Sequence, residues 1–287
     1  SFGGKAKPLL VSVRSGSRES MPGMLDTVLN LGLNDESAKA LAEATGSLVF
    51  AYGTYKRFIQ NYAGLVMDAD PSIFEDIADE MAKKPVDELT ASDWRDLIDA
   101  FKQAVLDEME EEFPQDPFDQ LWGAVRAVMK SWMNPRAVTF RSLHNIPAQW
   151  GTAVTIQAMV FGNMGEGSAT GVAFTRNPAT GEDTLYGEYL PNAQGEDVVA
   201  GLRTPHPLTK AQNGNGELTP MEDAMPVTFQ ELKEIAKRLE NHFREMQDIE
   251  VTVETGRLWL LQTRDGKRTA RAAIGIAVAM AEKGLIS

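Results

Sequence analysis

The chain has 287 residues, of which 43% are hydrophobic, carries a formal net charge of −13 and contains no cysteine. The acidic charge argues against a nucleic-acid partner, because contact with a phosphate backbone requires a basic surface. Without cysteine there are no disulfides and no thiol catalysis, which fits a reducing compartment. No apolar run approaches the roughly 20 residues that span a bilayer, so no membrane segment is expected. Since the chain begins at Ser1 with neither a methionine nor a signal peptide, we expect a fragment of a longer protein.

The first half of the sequence predicts one strand followed by a helical block. Residues 9–14 are rich in β-forming side chains and read as the strand. Helices are predicted over residues 36–45 after a cap at Asp35, over 49–67, from a cap at Ser92, and from Asp116-Pro117 onward. Apolar side chains at three- and four-residue spacing in the last helix predict a buried stripe of Phe118, Leu121, Trp122, Val125, Val128 and Trp132.

Pro135 ends the helical block, and the second half predicts strands interleaved with helices. Strands are expected at 137–140, 153–161, 171–175 and 184–189, a loop at 206–226, a helix at 228–246, a hairpin at 248–263 and a last helix at 269–283. This pattern indicates an α+β fold. We divide the chain into a first strand and loop (1–20), a helical subdomain (21–135), a β-rich subdomain (136–227), a helix-plus-hairpin lobe (228–268) and a linker helix (269–287).

The predicted first strand runs directly into Arg14-Ser15-Gly16-Ser17-Arg18. Arginine offers a planar donor fork that stays charged, and glycine lets the backbone approach a ligand closely, so this combination suits a polyphosphate. An ordinary strand end with solvated arginines would have the same composition. These residues alone leave both interpretations open.

A second candidate site is the hairpin near the C-terminus. Asp248 and Glu250 alternate along one strand and therefore share a face, as do Gln262 and Arg264 on the returning strand. Such a patch offers oxygen ligands for Mg²⁺ beside a phosphate donor. A merely charged, solvent-facing hairpin is the alternative interpretation.

The length of the hairpin turn decides which side chains meet. A three-residue turn (255–257) places Glu250 opposite Gln262 and Asp248 opposite Arg264. It also gathers four apolar side chains on the second face, namely Val251, Val253, Trp259 and Leu261. A two-residue turn would instead oppose Glu250 to Leu261. We predict the three-residue turn, because it brings the polar side chains together.

Six long segments carry a family resemblance: VSVRSGSRESMPGMLDTVLNLGLND (11–35), FPQDPFDQLWGA (113–124), TIQAMVFGNMG (155–165), GVAFTRNPATGE (171–182), NAQGEDVVAGLRTP (192–205) and MQDIEVTVETGRLWLLQTRDGKR (246–268). In this order they closely resemble the ATP-binding domain of the pyruvate, phosphate dikinase family. The resemblance extends over essentially the whole chain, and segments of this length would not co-occur by chance.

The resemblance implies a nucleotide-binding module with ATP-grasp-like lobes around a cleft and an inserted helical region, truncated at its N-terminus. Enzymes of this family interconvert ATP, phosphate and pyruvate with AMP, diphosphate and phosphoenolpyruvate. The module would hold Mg·ATP and phosphate so that a histidine on another domain of the full-length chain attacks the β-phosphorus. Mg²⁺ as cofactor, a cytoplasmic location and a homo-oligomeric full-length protein are implied. The fragment alone would be inactive, since the phosphohistidine domain and an N-terminal lysine loop are missing.

Matching the family motifs position by position implies a role for each candidate residue. Arg14 and Arg264 would be the catalytic arginines. Contacts to the nucleotide or its phosphates would come from Arg14, Arg57, Gln157, Thr170, Glu188, Glu196, Asp197 and Asp248, and metal contacts from Glu250 and Gln262. Thr170 would lie in a flexible, glycine-bearing loop.

Two alternatives stay open. A phosphoenolpyruvate synthase or an antibiotic phosphotransferase has a related nucleotide domain, although the 192–205 segment looks closer to the dikinase. A non-catalytic nucleotide-binding or regulatory interaction domain is a possibility of another class. Product formation by the intact parent with pyruvate or phosphate omitted would separate them.

Overall fold

The computed structural model describes residues 1–81, 85, 88–195, 197, 203–214 and 216–287. The chain folds as two compact units, Ser1–Met159 and Val160–Ser287. The division falls inside the segment 136–227 that the sequence suggested as one subdomain. Strand 153–158 pairs within the first unit, so the β-rich segment is shared by both. Among the helices that the structure describes, none combines the length and apolarity needed to cross a bilayer.

The first unit is mostly helical, as the sequence predicted. Its helices are α1 (Asp35–Thr45), α2 (Leu48–Val66), α3 (Glu75–Met81), α4 (Ala91–Met109), α5 (Pro117–Lys130) and α6 (Pro135–Leu143). The cap of α1 is Asn34 and not Asp35, and the cap of α4 is Thr90 and not Ser92. In each case the extended residue whose side-chain oxygen accepts a backbone N–H is the cap.

Helix α6 corrects the predicted strand at residues 137–140. Pro135 occupies the first helical position, where its fixed φ is compatible with a helix and its missing N–H is not needed. The four residues that suggested a strand are too few to distinguish the two periods. Pro135 therefore begins a helix after the preceding helical block.

The predicted buried stripe of α5 is partly wrong. Phe118 and Trp122 are 60% and 59% exposed, whereas Gln120 is fully buried. The amide of Gln120 accepts a hydrogen bond from Gly32 N at 2.9 Å and donates to Leu33 O at 2.8 Å. A polar side chain occupies this core position because it satisfies backbone groups that would otherwise be buried unpaired.

A three-stranded antiparallel sheet completes the first unit. Its strands are β1 (Val11–Gly16), β2 (Thr27–Leu31) and β3 (Ala153–Ala158), in the order β2-β1-β3. Val13 and Val28 lie opposite each other and are fully buried. The alternate residues of β1, which include Arg14, therefore point to the other face of the sheet.

The second unit contains a five-stranded antiparallel sheet. Its strands are β4 (Ala169–Phe174), β5 (Tyr186–Pro191), β6 (His206–Pro207), β7 (Gln247–Glu254) and β8 (Arg257–Asp265), in the order β6-β5-β4-β7-β8. The second unit also contains helices α7 (Pro226–Phe243) and α8 (Ala270–Glu282). The predicted loop at 206–226 is wrong in part, because it contains β6 and two short helical turns, Lys210–Asn213 and Met221–Ala224.

Helix α7 packs on one face of this sheet. The buried cluster between them comprises Ala173, Tyr189, Ile249, Val251, Val253 and Leu258 from the strands and Phe229, Leu232 and Ala236 from the helix. Because side chains alternate along a strand, the remaining residues of β4, β5, β7 and β8 point to the opposite face. We call this opposite face the polar face. Together the two units have an α+β fold.

Gly187 tests how closely the strands of this sheet approach. Its φ is +154°, and a Cβ at this position would lie 2.1 Å from Val172 O. We expect Gly187→Ala to lower the free energy of unfolding by about 1–3 kcal/mol, because the added methyl group overpacks the sheet and strains the backbone. The matched control is Gly275→Ala inside α8, where the nearest atom would be Thr180 O at 3.8 Å. Gly275→Ala should raise the free energy of unfolding by about 0.5–1 kcal/mol. Urea unfolding of both variants measures the difference, and equal shifts would contradict the packing described.

Candidate functional site

A row of polar side chains crosses the polar face of the second sheet. Glu188 of β5 lies opposite Val172 of β4. Val172 lies opposite Glu250 of β7, and Glu250 lies opposite Gln262 of β8. Directly opposed residues of antiparallel strands share a face. The register therefore brings two carboxylates and a carboxamide from three strands into one row.

The neighbouring row on β7 and β8 contains an ion pair. Asp248 lies opposite Arg264, and Arg264 Nε donates to Asp248 Oδ2 at 2.8 Å. Arg264 Nη2 lies 3.5 Å from Glu250 Oε1. One guanidinium thus contacts both carboxylates of the hairpin. This arrangement offsets the repulsion that two neighbouring carboxylates would otherwise have.

The predicted pairs are confirmed, but the predicted turn is wrong. The turn contains two residues, Thr255 and Gly256, with φ of +46° and +82°. Positive φ at both positions is typical of the tight turns that suit the twist of a hairpin. The register then shifts between Val251 and Glu250. Leu261 is the extra residue of this β-bulge, and it restores the pairing that a longer turn would have produced.

The apolar face of the hairpin is also corrected. Leu258 lies opposite Val253, and Leu260 lies opposite Val251. The predicted partners Trp259 and Leu261 do not occupy these places. Because the two-residue turn sets the register up to the bulge, the even-numbered residues of β8 face the core before the bulge.

Thr170 lies in strand β4 and not in the flexible loop that the family resemblance implied. It lies opposite Leu190 on one side and Thr252 on the other, on the polar face. Its hydroxyl donates to Val251 O at 3.4 Å, and the residue is 4% exposed. Thr170 is therefore a fixed, buried neighbour of the charged rows.

Two residues of the polar face were not predicted from the sequence. Thr252 and Trp259 lie opposite each other beside the row of Glu250. Within the described residues, Trp259 Nε1 is a buried donor that has no hydrogen-bond partner. The guanidinium of Arg257 lies 4.1 Å from the centre of the indole ring. The two-residue turn is the signal that would have identified this pair.

In the first unit, the structure brings Arg14 and Gln157 together. Arg14 lies on β1 and Gln157 on β3, and Arg14 Nη1 donates to Gln157 Oε1 at 3.3 Å. Arg57 lies on the exposed side of α2 and thus outside the sheet. Burial, and to a lesser extent the charge of Arg57, lowers the pKa of the neighbouring Lys56.

The acidic pair predicted at 196 and 197 is only partly described. Glu196 lies outside the described residues. Asp197 is 9% exposed, and its carboxylate accepts a hydrogen bond from Gln194 N at 2.8 Å. This oxygen closes a local turn.

The donor set of the polar face suits a magnesium ion better than a transition metal. Mg²⁺ is usually held by one or two carboxylates together with the phosphates of a substrate. Asp248, Glu250 and the amide oxygen of Gln262 fit that requirement. Within the described part of the chain there is no group of three or more histidine, aspartate or glutamate side chains that forms a metal site by itself.

Cavity size does not identify this site. A cavity of about 920 Å³ in the second unit is lined by residues from α7, the start of β5 and the C-terminal end, among them Glu240, Tyr186 and Lys283. The charged pair Asp248 and Arg264 is not among its lining residues. The shared sheet face is therefore the better guide to the chemistry.

Comparison with known proteins identifies the family of the chain. The model of the family described as "Pyruvate phosphate dikinase, AMP/ATP-binding domain" matches residues 2–223 and 208–284. The chain belongs to this family. It is 58% identical over 292 residues to the pyruvate, phosphate dikinase of Rhizobium meliloti (strain 1021) and 53% identical over 291 residues to that of Clostridium symbiosum. Each alignment covers 100% of this chain and 32% of the relative, so the chain spans about a third of the length of these proteins.

Charge compensation by Arg264 can be tested by stability. We expect Arg264→Leu to lower the free energy of unfolding by about 1–2 kcal/mol, because Asp248 and Glu250 lose their shared donor. Glu250→Gln should leave stability equal or slightly higher, since it removes one of two like charges. Thermal unfolding in low salt measures both effects. Arg126→Leu, on the exposed side of α5, is the control for loss of a positive charge. Equal stability of Arg264→Leu and the parent would contradict the charge compensation.

Proposed function

We propose that this chain is the nucleotide-binding portion of a dikinase that uses Mg·ATP and phosphate to phosphorylate a histidine located elsewhere in the whole protein. The overall reaction would be ATP + phosphate + pyruvate = AMP + diphosphate + phosphoenolpyruvate. The observation that carries the proposal is the polar face of the second sheet, where the strands align Glu188, Asp248, Glu250, Gln262 and Arg264. Family membership supports it, because the family is named for an AMP/ATP-binding domain.

The chemistry assigned to the arginines is charge neutralisation and positioning. Phosphoryl transfer depends mainly on holding the reacting groups in place and on stabilising the charge of the phosphate oxygens. Arg14 and Arg264 supply planar guanidinium donors from a β-strand each, and strands hold side chains in fixed positions. In the proposal both arginines contact phosphate, with Arg57 as a further phosphate ligand. Gln157, held by Arg14, lines the nucleotide site.

The carboxylates are assigned to the metal and the nucleotide. Glu250 and the amide oxygen of Gln262 would hold Mg²⁺, with Asp248 beside them. When bound, the ion would neutralise charge on the triphosphate. Thr170 and Glu188 would contact the nucleotide from the neighbouring strands, and the pair at 196 and 197 from the loop after β5.

This proposal implies a finer architecture and a cellular context. The fold would be of the ATP-grasp type, with the helical region as an insertion. The whole protein would be a cytoplasmic homo-oligomer whose phosphohistidine domain receives the phosphoryl group. The relatives described above are pyruvate, phosphate dikinases, which favours the dikinase over a phosphoenolpyruvate synthase or an antibiotic phosphotransferase.

The decisive measurement is formation of AMP and diphosphate by the whole protein, with phosphate or pyruvate omitted in turn. A dikinase forms diphosphate only when phosphate is present. If the whole protein forms AMP and inorganic phosphate from ATP and pyruvate in a mixture without added phosphate, it is instead a synthase. Nucleotide binding without turnover in the complete mixture would indicate a regulatory domain.

Arg14→Leu is expected to abolish the nucleotide half-reaction of the whole protein, because a charged donor to the phosphates is lost. Exchange between pyruvate and phosphoenolpyruvate should continue at the parent rate, since it does not involve the nucleotide. Isotope exchange measures the two half-reactions separately. Loss of both together would indicate misfolding, and retention of both would remove Arg14 from the site. Arg95→Leu on α4 is the control for a surface arginine of the same unit.

The 287-residue chain by itself should form no AMP and no diphosphate from ATP, because the proposed function places the acceptor histidine on another part of the whole protein. Its affinity for Mg·ATP is expected to be weak, since the chain spans only about a third of the length of its dikinase relatives. Calorimetric titration measures binding, and chromatography of the nucleotides measures turnover. Release of both products by the purified chain would contradict this assignment.

A further inference from the structure

A buried ion pair lies on the helix side of the second sheet. Arg176 is 0% exposed and Glu240 of α7 is 7% exposed. Arg176 Nε donates to Glu240 Oε2 at 3.0 Å, and Arg176 Nη2 donates to Glu240 Oε1 at 2.7 Å. The hydroxyl of Thr175 donates to Glu240 Oε2 at 2.8 Å. The guanidinium fork therefore fixes a carboxylate, and the carboxylate fixes the hydroxyl of Thr175.

The same hydroxyl connects the ion pair to strand β7. Gln247 N donates to Thr175 Oγ1 at 3.0 Å, and Thr175 N donates to Gln247 O at 3.0 Å. Gln247 is 1% exposed. The side chain of Gln247 then reaches across to β8, where its Oε1 accepts from Thr263 Oγ1 at 2.9 Å and its Nε2 donates to Asp265 Oδ1 at 3.2 Å. Gln247 thus joins β7 to β8 on the core face.

The residues of this network alternate with those of the candidate site. Gln247 immediately precedes Asp248, and Thr263 lies between Gln262 and Arg264. Since neighbours on a strand point to opposite faces, the network holds the backbone from one side while the charged side chains project from the other. The ion pair Asp248–Arg264 holds this stretch of the hairpin from one face. The hydrogen bonds of Gln247 to Thr263 and Asp265 hold the same stretch from the other face.

Stability alone is a weak reason for such a network. A buried ion pair can often be replaced by apolar residues of similar volume without loss of stability, because the desolvation of two charges offsets their attraction. Both carboxylate oxygens of Glu240 and the hydroxyl of Thr175 are hydrogen-bonded, whereas Arg176 Nη1 has no partner among the described residues. Buried groups paired in this way favour one geometry. Sites that bind charged groups need supporting residues that hold the contacting side chains to within a fraction of an ångström.

We propose that Thr175 and Gln247, anchored by the Arg176–Glu240 pair, are positioning residues that set the alignment of Asp248, Gln262 and Arg264 for Mg·ATP. The proposal rests on the proposed function of the polar face. The residues act through the hairpin backbone and do not touch the ligand.

The test compares two substitutions of Thr175 in the whole protein. Thr175→Val keeps the shape and loses the hydroxyl, whereas Thr175→Ser keeps the hydroxyl and loses a methyl group. We expect Thr175→Val to raise the KM for Mg·ATP in the nucleotide half-reaction about tenfold and to raise the Mg²⁺ concentration needed for half-saturation. Thr175→Ser should stay within about twofold of the parent in both. If packing were the only role, the two substitutions would have similar effects, or serine the larger one.

A destabilising substitution outside the network serves as a control. It distinguishes a positioning role of Thr175 from a general loss of stability in the second unit. Leu232→Val removes one buried methylene equivalent from α7 and should lower the unfolding temperature without touching the network. Its KM for Mg·ATP should stay at the parent value at a temperature where all variants are folded. A tenfold rise in Leu232→Val, or a parental KM in Thr175→Val, would overturn the proposal. The parent must show the Mg·ATP half-reaction, and its failure there would refute the proposed function and not the positioning role.

Discussion

The structure of the second unit depends on the two-residue alternation of strand β7. Its odd-numbered residues must face α7, because Ile249, Val251 and Val253 fill the core beneath that helix. The even-numbered residues, Asp248 and Glu250, are thereby forced to the other face. A slip of one residue would bury two carboxylates against α7, where each would lack compensation. The apolar core therefore determines where the charged chemistry lies, although it contributes no ligand to it.

The sequence could predict which hairpin residues meet, but not how the chain brings them together. Alternation on both strands indicated Glu250 opposite Gln262, and the structure has that pair. The turn and the bulge at Leu261 depend on backbone φ and on neighbouring strands, which a single sequence does not reveal. A two-residue turn followed by one extra residue gives the same register as a three-residue turn. The side-chain pattern does not distinguish the two, and it therefore predicts the wrong face for Trp259.

Helices were predictable where local signals agree and less so where tertiary contacts decide. The capping residue Asp116 and the proline that follows it predict the start of α5, and the helix begins at Pro117. Which side of α5 is buried depends on what packs against it. Gln120 is buried because backbone groups of Gly32 and Leu33 need its amide, a requirement that is invisible in the periodicity of apolar residues. The network of Arg176 is not predictable from the sequence for the same reason, since Arg176 and Glu240 are 64 residues apart along the chain.

The charge of the polar face explains how an acidic chain can belong to a family that binds an anion. One guanidinium, that of Arg264, stands between two carboxylates, so the patch has a net negative charge and repels a triphosphate. With Glu188 of the same face included, three carboxylates stand against one guanidinium, so a bound divalent cation neutralises the net negative charge and removes the repulsion. In the proposed function, metal and nucleotide therefore favour each other's binding, and each is weakly held alone. This coupling depends on the separation of a few side chains and not on the net charge of −13. The hydrogen-bond network of Thr175 and Gln247 on the opposite face would fix the hairpin backbone and so preserve the separation of these side chains. This is the physical reason for a buried polar network to lie directly behind the site.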